Sequence, residues 1–369
     1  MTVREISGYL SSKIPVSYQE SYDNSGLLIG NPDQMIESII LSVDVTDDVL
    51  NDAIQTGAGM IVSHHPLIFT GLKKLTGSSF VERIVAKAIK NDIAIYAAHT
   101  NLDVIKGGVS HRMAEKLNLN SIAPLSPVEG KLVKIVVFVP ESDGENVRSA
   151  MFNSGGGNIA NYDHCSFNTD GYGTFRAGEG TNPYKGDVGK DHLEREVRIE
   201  VIAPDHIKSI VIRAMIDAHP YEEVAYDIYP LENRIPGVGM GVVGDLSSPL
   251  DEKTFIELLY NTFKAEGLKH SNLLGKEISR VALCGGSGGS LIADALRSEA
   301  DIFVTADVKY NTFFGADGLM VMVDIGHYES ENFSLEILFE IITKKFPKFA
   351  IRFSRVNTNP INYFQAWEK

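Results

Sequence analysis

A chain of 369 residues, of which 44% are hydrophobic and 22% charged, is long enough to bury the cores of two or three domains. Its net charge of −14 argues against binding to nucleic acid or to an anionic membrane surface. No apolar run approaches the roughly 20 residues of a membrane span, and the first residues lack the pattern of a secretory signal, so we expect a cytoplasmic protein.

The first third of the chain alternates helical periodicity with short apolar strands, which have the sequences SIILSVDV, AGMIVSHH and DIAIYAAHT. This alternation predicts crossover connections and a mainly parallel sheet. The pattern resumes in the last third with ISRVALC, ADIFVTADVKY and GLMVMVDIGHY. We therefore predict an α/β fold in which residues 1–127 and 237–369 form the two halves of one mainly parallel sheet domain.

The middle of the chain has a different sequence pattern. Two turn-rich passages, IAPLSPVEGKL and ENRIPGVGMGVVGDL, enclose a β-rich region with two helical stretches. We predict that residues 128–236 form an inserted α+β domain. The two cysteines, Cys165 and Cys284, form no CxxC pair, so the sequence indicates neither a disulfide framework nor a thiolate zinc site.

Two adjacent histidines, His64 and His65, follow the apolar strand that ends AGMIVS. Neighbouring side chains of a strand point to opposite faces, so both reach one site only where the strand ends. Pro66 ends it, because proline removes an amide donor and restricts the residue before it. This places the pair at the carboxyl end of a strand, the edge at which open α/β sheets bind ligands.

Two other strands carry metal-ligand residues at the same kind of position. AIYAAHTNLD supplies His99 and Asp103, and MVMVDIGHYESE supplies His327 and Glu331, which lie four apart on one face of a helix. If these strands are neighbours, His64, His65, Asp103, His327 and Glu331 meet in one place. Five nitrogen and oxygen ligands exceed what one tetrahedral zinc needs and fit a two-metal centre. Without a thiolate in the set, Zn, Mn, Fe and Co all fit.

Each element also has an interpretation without metal. His64 with His65 fits an ordinary loop, and His327 with Glu331 fits an exposed helix pair, but their shared placement favours a metal site. His99 fits either a ligand or a group that orients a ligand carboxylate, and we favour the second. We do not assign to the site five histidines that lack such placement: His111, His164, His192, His206 and His270.

Two further loops follow apolar strands. CGGSGGS, which contains Gly285, Gly286 and Ser287, either presents amides to a phosphate or only forms a tight strand-to-helix turn. TADVKY, with Asp307, Lys309 and Tyr310, either lines the same cleft or is a solvated loop.

Six motifs in order resemble those of the dinuclear-metal hexamer family of GTP cyclohydrolase I type two homologues, also called the NGG-one-interacting-factor-three-like family: YDNSGLLIG, SHHPLIF, HTNLD, CGGSGGSLI, ADIFVTADVKY and DIGHYESE. The resemblance covers nearly the whole chain. The middle segment is similar to the ferredoxin-like insert of longer bacterial members, which is related to PII and CutA proteins. Two positions depart from the pattern: Tyr22 replaces a frequent Trp, and Asn311 replaces a frequent His, which removes a proton donor.

The resemblance implies that the five ligands bind two divalent ions per subunit, zinc before manganese, iron or cobalt, with Glu331 or Asp103 as a bridge. It implies a toroidal homohexamer whose metal centres face an internal cavity and whose inserts cap the openings. It also suggests a substrate pocket made of Asp23, Asn24, Gly285, Gly286, Ser287, Asp307, Lys309 and Tyr310.

The activity implied is hydrolytic opening of the GTP imidazole ring at C8 with release of formate, in which His99 moves a proton. The alternative is a metal-binding regulatory or scaffold hexamer that senses a small molecule or binds a partner without turnover. A ring that encircles DNA would need a basic cavity, which the net charge disfavours.

Overall fold

The structure, a computed structural model, describes residues 1–363. The chain divides into two compact units, one made of Met1–Pro127 with Gly237–Lys369 and the other of Val128–Pro236. We call them the discontinuous unit and the inserted unit. Within residues 1–363, no helix combines the length and apolar character that crossing a membrane requires.

The elements are numbered in chain order. The strands are β1 Gly26–Ile29, β2 Ser38–Ser42, β3 Met60–Ser63, β4 Ala94–Ala97, β5 Asn120–Glu129, β6 Leu132–Pro140, β7 Phe167–Arg176, β8 Asp191–Pro204, β9 Tyr226–Leu231, β10 Arg234–Asp251, β11 Lys269–His270, β12 Glu277–Leu283, β13 Ile302–Thr305, β14 Val321–Asp324 and β15 Ala350–Phe353. The α-helices are α1 Val3–Lys13, α2 Asp47–Thr56, α3 Phe80–Lys90, α4 Thr100–Val104, α5 Val109–Lys116, α6 Gly144–Asn153, α7 Lys208–Ala218, α8 Glu252–Phe263, α9 Ile292–Arg297, α10 His327–Glu331 and α11 Ser334–Lys345.

The first sheet of the discontinuous unit has the strand order β1-β4-β3-β2-β15. Strands β15, β2, β3 and β4 run parallel, and β1 pairs antiparallel with β4. The central strands are buried along their whole length, as parallel strands covered on both faces are. The two faces of this sheet pack against different helices. The face that contains Ile39 packs against α1 and α11, and the face that contains Ile40 packs against α2 and α3.

The second sheet has the order β11-β14-β13-β12-β10-β5, with β12, β13 and β14 parallel and antiparallel strands at their sides. The discontinuous unit therefore contains two sheets and not a single one. The two halves exchange strands instead: β15 from the end of the chain joins the first sheet, and β5 from the first third joins the second. Periodicity identified most of the strands but carries no information about which strands pair, because pairing is a long-range property.

The inserted unit runs β6-α6-β7-β8-α7-β9 and forms an antiparallel sheet of order β7-β8-β6-β9. Helices α6 and α7 cover one face, where Val147 and Met215 pack against Ile199 of β8. Alternate residues of β8 point to the other face, and Glu196 and Arg198 are among them.

Candidate metal centre

The carboxyl ends of β2, β3 and β4 lie at one edge of the first sheet, because these strands are parallel and in register from Ser42 through Ser63 to Ala97. Backbone pairing continues past β3, since the His65 amide donates to the Val43 carbonyl at 2.9 Å. The two histidines therefore leave the sheet next to the end of β2. The other half of the site comes from the second sheet, where α10 begins three residues after β14 ends.

One carboxylate oxygen, Glu331 Oε2, lies at the centre of the cluster. It is 2.9 Å from His65 Nε2, 2.9 Å from His327 Nε2 and 3.5 Å from His64 Nε2. The i,i+4 spacing on α10 brings His327 and Glu331 together as the sequence indicated, whereas Glu329 points away and accepts a hydrogen bond from Asn359. His64, His65 and Glu331 together form a cluster of donor atoms that could hold a metal ion.

Asp103 is the fifth residue that the sequence singled out. It lies on α4, one turn after His99, and its Oδ1 is 3.8 Å from His64 Nε2. Burial raises the pKa of this carboxyl group. Both Asp103 Oδ1 and His64 Nε2 are buried and form no hydrogen bond with any residue that the structure describes. Such unsatisfied buried atoms are costly, and two of them facing each other fit a pair of ligands for a cation.

The three histidines of the cluster are held by their other ring nitrogen. His64 Nδ1 bonds the Ala98 carbonyl at 2.8 Å, His65 Nδ1 bonds Asp44 at 2.7 Å and His327 Nδ1 bonds Asp307 at 2.7 Å. A proton on each Nδ1 leaves the lone pair of Nε2 free, which is how proteins prepare histidines to bind metal. The donor set thus fits divalent ions of the zinc, manganese, iron or cobalt type.

Sequence reasoning missed Asp44. This residue follows β2 and lies beside His65 across the parallel register, and Thr358 donates a hydrogen bond to its other oxygen at 2.8 Å. The signal in the sequence was an aspartate at the end of β2. This signal predicts a contact with His65 only if β2 and β3 are assumed to be neighbours.

The carboxylates hold protons on the histidines when no cation is bound. Burial disfavours the charged form of His65, but hydrogen bonds with Asp44 and Glu331 outweigh burial and raise its pKa to about 9. Burial likewise opposes charge on His327, yet hydrogen bonds with Asp307 and Glu331 raise its pKa to about 11. A divalent cation at the centre would displace these protons, because only the neutral imidazole binds metal.

His99 lies beside the cluster but is held differently. Its Nδ1 bonds Asp23 Oδ1 at 2.8 Å, and its ring centroid is 5.4 Å from those of both His64 and His65. Asp23 also accepts hydrogen bonds from the backbone amide and the hydroxyl of Thr100. Burial opposes ionisation of Asp23, but the bonds from His99 and Thr100 hold its pKa well below the usual range.

The glycine-rich loop after β12 does not present a row of free amides. The amides of Gly285 and Gly286 donate to the hydroxyls of Ser110 and Ser330, and that of Gly288 donates to Thr305. The amides of Gly285 and Gly286 are thus occupied, which fits the tight strand-to-helix turn, the second of the two alternatives for this loop. The loop packs against the cluster instead: a Cβ at Gly286, which has φ +62°, would lie 2.0 Å from Glu331 Oε1.

The remaining pocket residues lie in different surroundings. Asn24 ties two loops together, because its side-chain amide donates to the Ile68 carbonyl at 2.6 Å. Asp307 contacts the cluster through His327, whereas Ser287, Lys309 and Tyr310 are exposed. Among residues 1–363, the metal-type cluster includes none of the five histidines left unassigned by sequence: His111, His164, His192, His206 and His270.

Comparison with known proteins places the chain in a wider group. The family model Duf34/NIF3 (NGG1p interacting factor 3) matches residues 1–360. A GTP cyclohydrolase 1 type 2 homolog of Halalkalibacterium halodurans is 42% identical over 316 residues, which cover 85% of each chain. A protein of the same name from Bacillus subtilis is 37% identical over 361 residues, or 95% of each chain.

A solved structure shows the same fold. The crystal structure of a Bacillus cereus protein related to NIF3 matches with a TM-score of 0.86 at 37% sequence identity, and the match covers 99% of each chain. The mixed α/β architecture with several sheets described above is thus that of a solved NIF3-related protein.

Proposed function

The chain belongs to the Duf34/NIF3 family, and from this premise we propose that it is a metal-dependent hydrolase with two divalent ions in each subunit. One observation carries the proposal: three histidines turn their Nε2 atoms toward Glu331 Oε2, while carboxylates or a carbonyl hold each Nδ1. This arrangement is expected of ligands and not of isolated ion pairs.

The residues that would hold the ions are His64, His65, Asp103, His327 and Glu331. Glu331 suits the role of a bridge, because one of its oxygens lies within 3.5 Å of three imidazoles. When bound, the ions would activate water as a nucleophile and polarise the bond under attack. Zinc is our first choice of metal, and manganese, iron and cobalt are the alternatives.

His99 would move the proton. Asp23 fixes its Nδ1, so Nε2 is the nitrogen left to accept or donate. A histidine that a carboxylate orients beside the reacting group can accept or donate a proton. Asn311, exposed in the loop after β13, has no titratable side chain and cannot share this role.

We take GTP as the first substrate to test, with opening of the imidazole ring at C8 and release of formate. Two relatives are named as homologs of GTP cyclohydrolase 1 type 2. Two exposed aromatic rings also support a flat substrate: Tyr22 is 6.2 Å from Phe69, and Phe69 is 6.2 Å from His99. A purine can stack on such rings beside the proposed proton donor.

The assembly is part of the proposal. We infer a toroidal homohexamer of this chain, in which the inserted units cap the ring openings. We further infer that the inserted unit is a ferredoxin-like module, because its elements follow the order β-α-β-β-α-β. Nucleic acid is not the expected partner, since the chain carries a net charge of −14.

The test is metal analysis of the purified protein together with an assay for formate released from GTP. Wild type, His65→Ala and His270→Ala are prepared in parallel; the control residue His270 is exposed, and its Nδ1 bonds the Ser271 carbonyl. We expect about two ions per chain and formate release in wild type and the control, and loss of both in His65→Ala.

Two results would contradict the proposal in different ways. Equal metal content in wild type and His65→Ala would refute the site. Two ions per chain without turnover of GTP would refute the cyclohydrolase activity and favour a regulatory or scaffold hexamer.

A further inference from the structure

The inserted unit contains a cavity that lies apart from the metal ligands in sequence. The cavity measures about 670 Å³ and is lined by β7, β8, the loop between them and the segment after α7. All of its lining residues belong to Val128–Pro236. Small-molecule sites have volumes of about 300–1,000 Å³, so this cavity has the size of a ligand site.

A buried carboxylate lines the cavity. Glu196 of β8 is only 8% exposed, and its Oε1 accepts a hydrogen bond from the Tyr221 hydroxyl at 2.9 Å. None of the ion pairs among the described residues includes Glu196: the lining residues Arg198 and Arg176 pair with Glu200 and Asp191. A buried carboxylate without a counter-charge is costly, so a ligand that brings positive charge or N–H donors to it gains binding energy.

The strand beside Glu196 is built to accommodate its carboxylate. A Cβ at Gly173 of β7 would lie 2.1 Å from Glu196 Oε2, so only glycine leaves room for the side chain in this position. Gly171, which pairs directly with Glu196 in the sheet, meets no atom within 4 Å of an added Cβ. The two glycines line the same cavity but differ in what an added methyl group would displace.

Aromatic rings form another part of the cavity wall. The ring of Tyr221 lies 5.9 Å from that of Phe175 and 6.3 Å from that of Tyr184, between centroids. The loop that carries Tyr184 is tied to the segment after α7, because the Asn182 amide donates to the Glu222 carboxylate at 3.2 Å. Aromatic faces favour flat ligands, and they also attract cations.

The charged residues that line the cavity determine whether it favours a cationic or an anionic ligand. Its acidic residues are Asp170, Glu196, Glu222 and Glu223, and its basic residues are Arg176, Lys185 and Arg198. Both arginines and Asp170 are already paired, and the remaining acidic residues, Glu196, Glu222 and Glu223, outnumber Lys185. The cavity therefore disfavours an anion and favours a cation.

We propose that the inserted unit binds a flat organic cation with N–H groups along one edge, as in an aromatic amidinium. The N–H edge lies on Glu196, and the plane packs against the rings of Phe175, Tyr184 and Tyr221. The site needs neither metal nor GTP, so it stands or falls independently of the hydrolase.

Three probes of nearly equal shape test the charge requirement on the full-length protein. They are benzamidine, a cation; benzamide, its neutral counterpart; and benzoate, an anion. Calorimetric titration should show binding of benzamidine, with benzamide at least about tenfold weaker because its contact with Glu196 lacks charge. Binding of benzoate as tight as that of benzamidine would overturn the proposal.

Variants locate the site. Glu196→Gln keeps an acceptor for the Tyr221 hydroxyl but removes the charge, and should weaken benzamidine binding by about tenfold or more. Gly173→Ala should weaken it by displacing the carboxylate, whereas Gly171→Ala adds the same methyl group without contact and should retain it. Unchanged affinity in Glu196→Gln would refute the site. If circular dichroism shows that Gly173→Ala does not fold, the result for Glu196→Gln alone decides the test.

Discussion

At the scale of single residues, the role of His99 separates the two proposed functions, a hydrolase and a protein that only binds metal. It is close to His64 and His65, yet it is fixed by Asp23 and forms no hydrogen bond with Glu331. Its position allows two roles, a further ligand or a proton carrier. The two roles differ in what removing the imidazole does to the ions.

We predict that His99→Gln lowers kcat by about 10²–10⁴-fold, because general acid–base catalysis contributes this much, and leaves metal content unchanged. Metal analysis and steady-state kinetics on the same preparation measure both effects. Asp23→Asn, which keeps the imidazole but weakens its orientation, should lower kcat less. A parallel fall in metal content in His99→Gln would instead identify His99 as a ligand.

Glu82 is a second residue whose contacts lead to a testable prediction. It lies in the first turn of α3 and is only 6% exposed. It accepts hydrogen bonds from the Thr76 amide at 2.8 Å and from the Ser78 hydroxyl at 2.9 Å, and so folds back the loop that follows the two adjacent histidines. These bonds, led by that from the Thr76 backbone, lower the pKa of Glu82 from 4.5 to about 2.

We predict that Glu82→Gln lowers the Tm of the metal-free protein by about 2–4 °C at pH 7, since the charged acceptor is lost. Because the pKa is lower in the folded state, the carboxylate stabilises the fold fully above about pH 4.5 and not at all below about pH 2. The difference in Tm between the two proteins should therefore shrink as the pH falls through this window. A difference that is constant with pH would contradict the assignment, and Glu257→Gln, on the exposed face of α8, is the control.

At the scale of elements, the glycine-rich loop after β12 leaves space for the Glu331 side chain at the centre of the candidate metal site. We predict that Gly286→Ala lowers metal affinity, because its methyl group would meet Glu331 Oε1 and its φ of +62° is unfavourable for alanine by about 1–2 kcal/mol. Gly289→Ala, in the same loop with an ordinary contact to Thr312, should bind metal normally. Competition with a chromogenic chelator measures both affinities, and equal values would show that the loop does not constrain Glu331.

The elements also show how much of the fold and of the candidate site could be predicted from the sequence. Proline after His65 and the i,i+4 spacing of His327 and Glu331 are local signals, and each indicated a geometry that the structure has. The partition of strands between two sheets and the role of Asp44 depend on pairing between distant segments, which no local pattern encodes. The hydrogen bonds of the Gly285 and Gly286 amides could not be predicted for the same reason, since the serines that accept them come from α5 and α10.

At the scale of the whole molecule, the insertion joins two strands that are already neighbours. β5 and β10 are adjacent in the second sheet, and a Cβ at Gly239 would lie 2.8 Å from Pro127 Cα. We predict that replacing residues 128–236 by a short glycine-serine linker leaves metal content and Tm of the remaining unit nearly unchanged. Loss of metal or of cooperative unfolding would show that the discontinuous unit depends on the insertion.

The strand exchange between the two sheets also bears on how the protein is made. His65 and Glu331 contact each other across 266 residues of chain, and the first sheet receives its edge strand β15 only near the end of the sequence. A nascent chain on the ribosome thus has its first histidines long before it has the carboxylate at their centre. Translation through Glu331 must precede assembly of the donor set, so we predict that a metal ion binds only after this residue has left the ribosome.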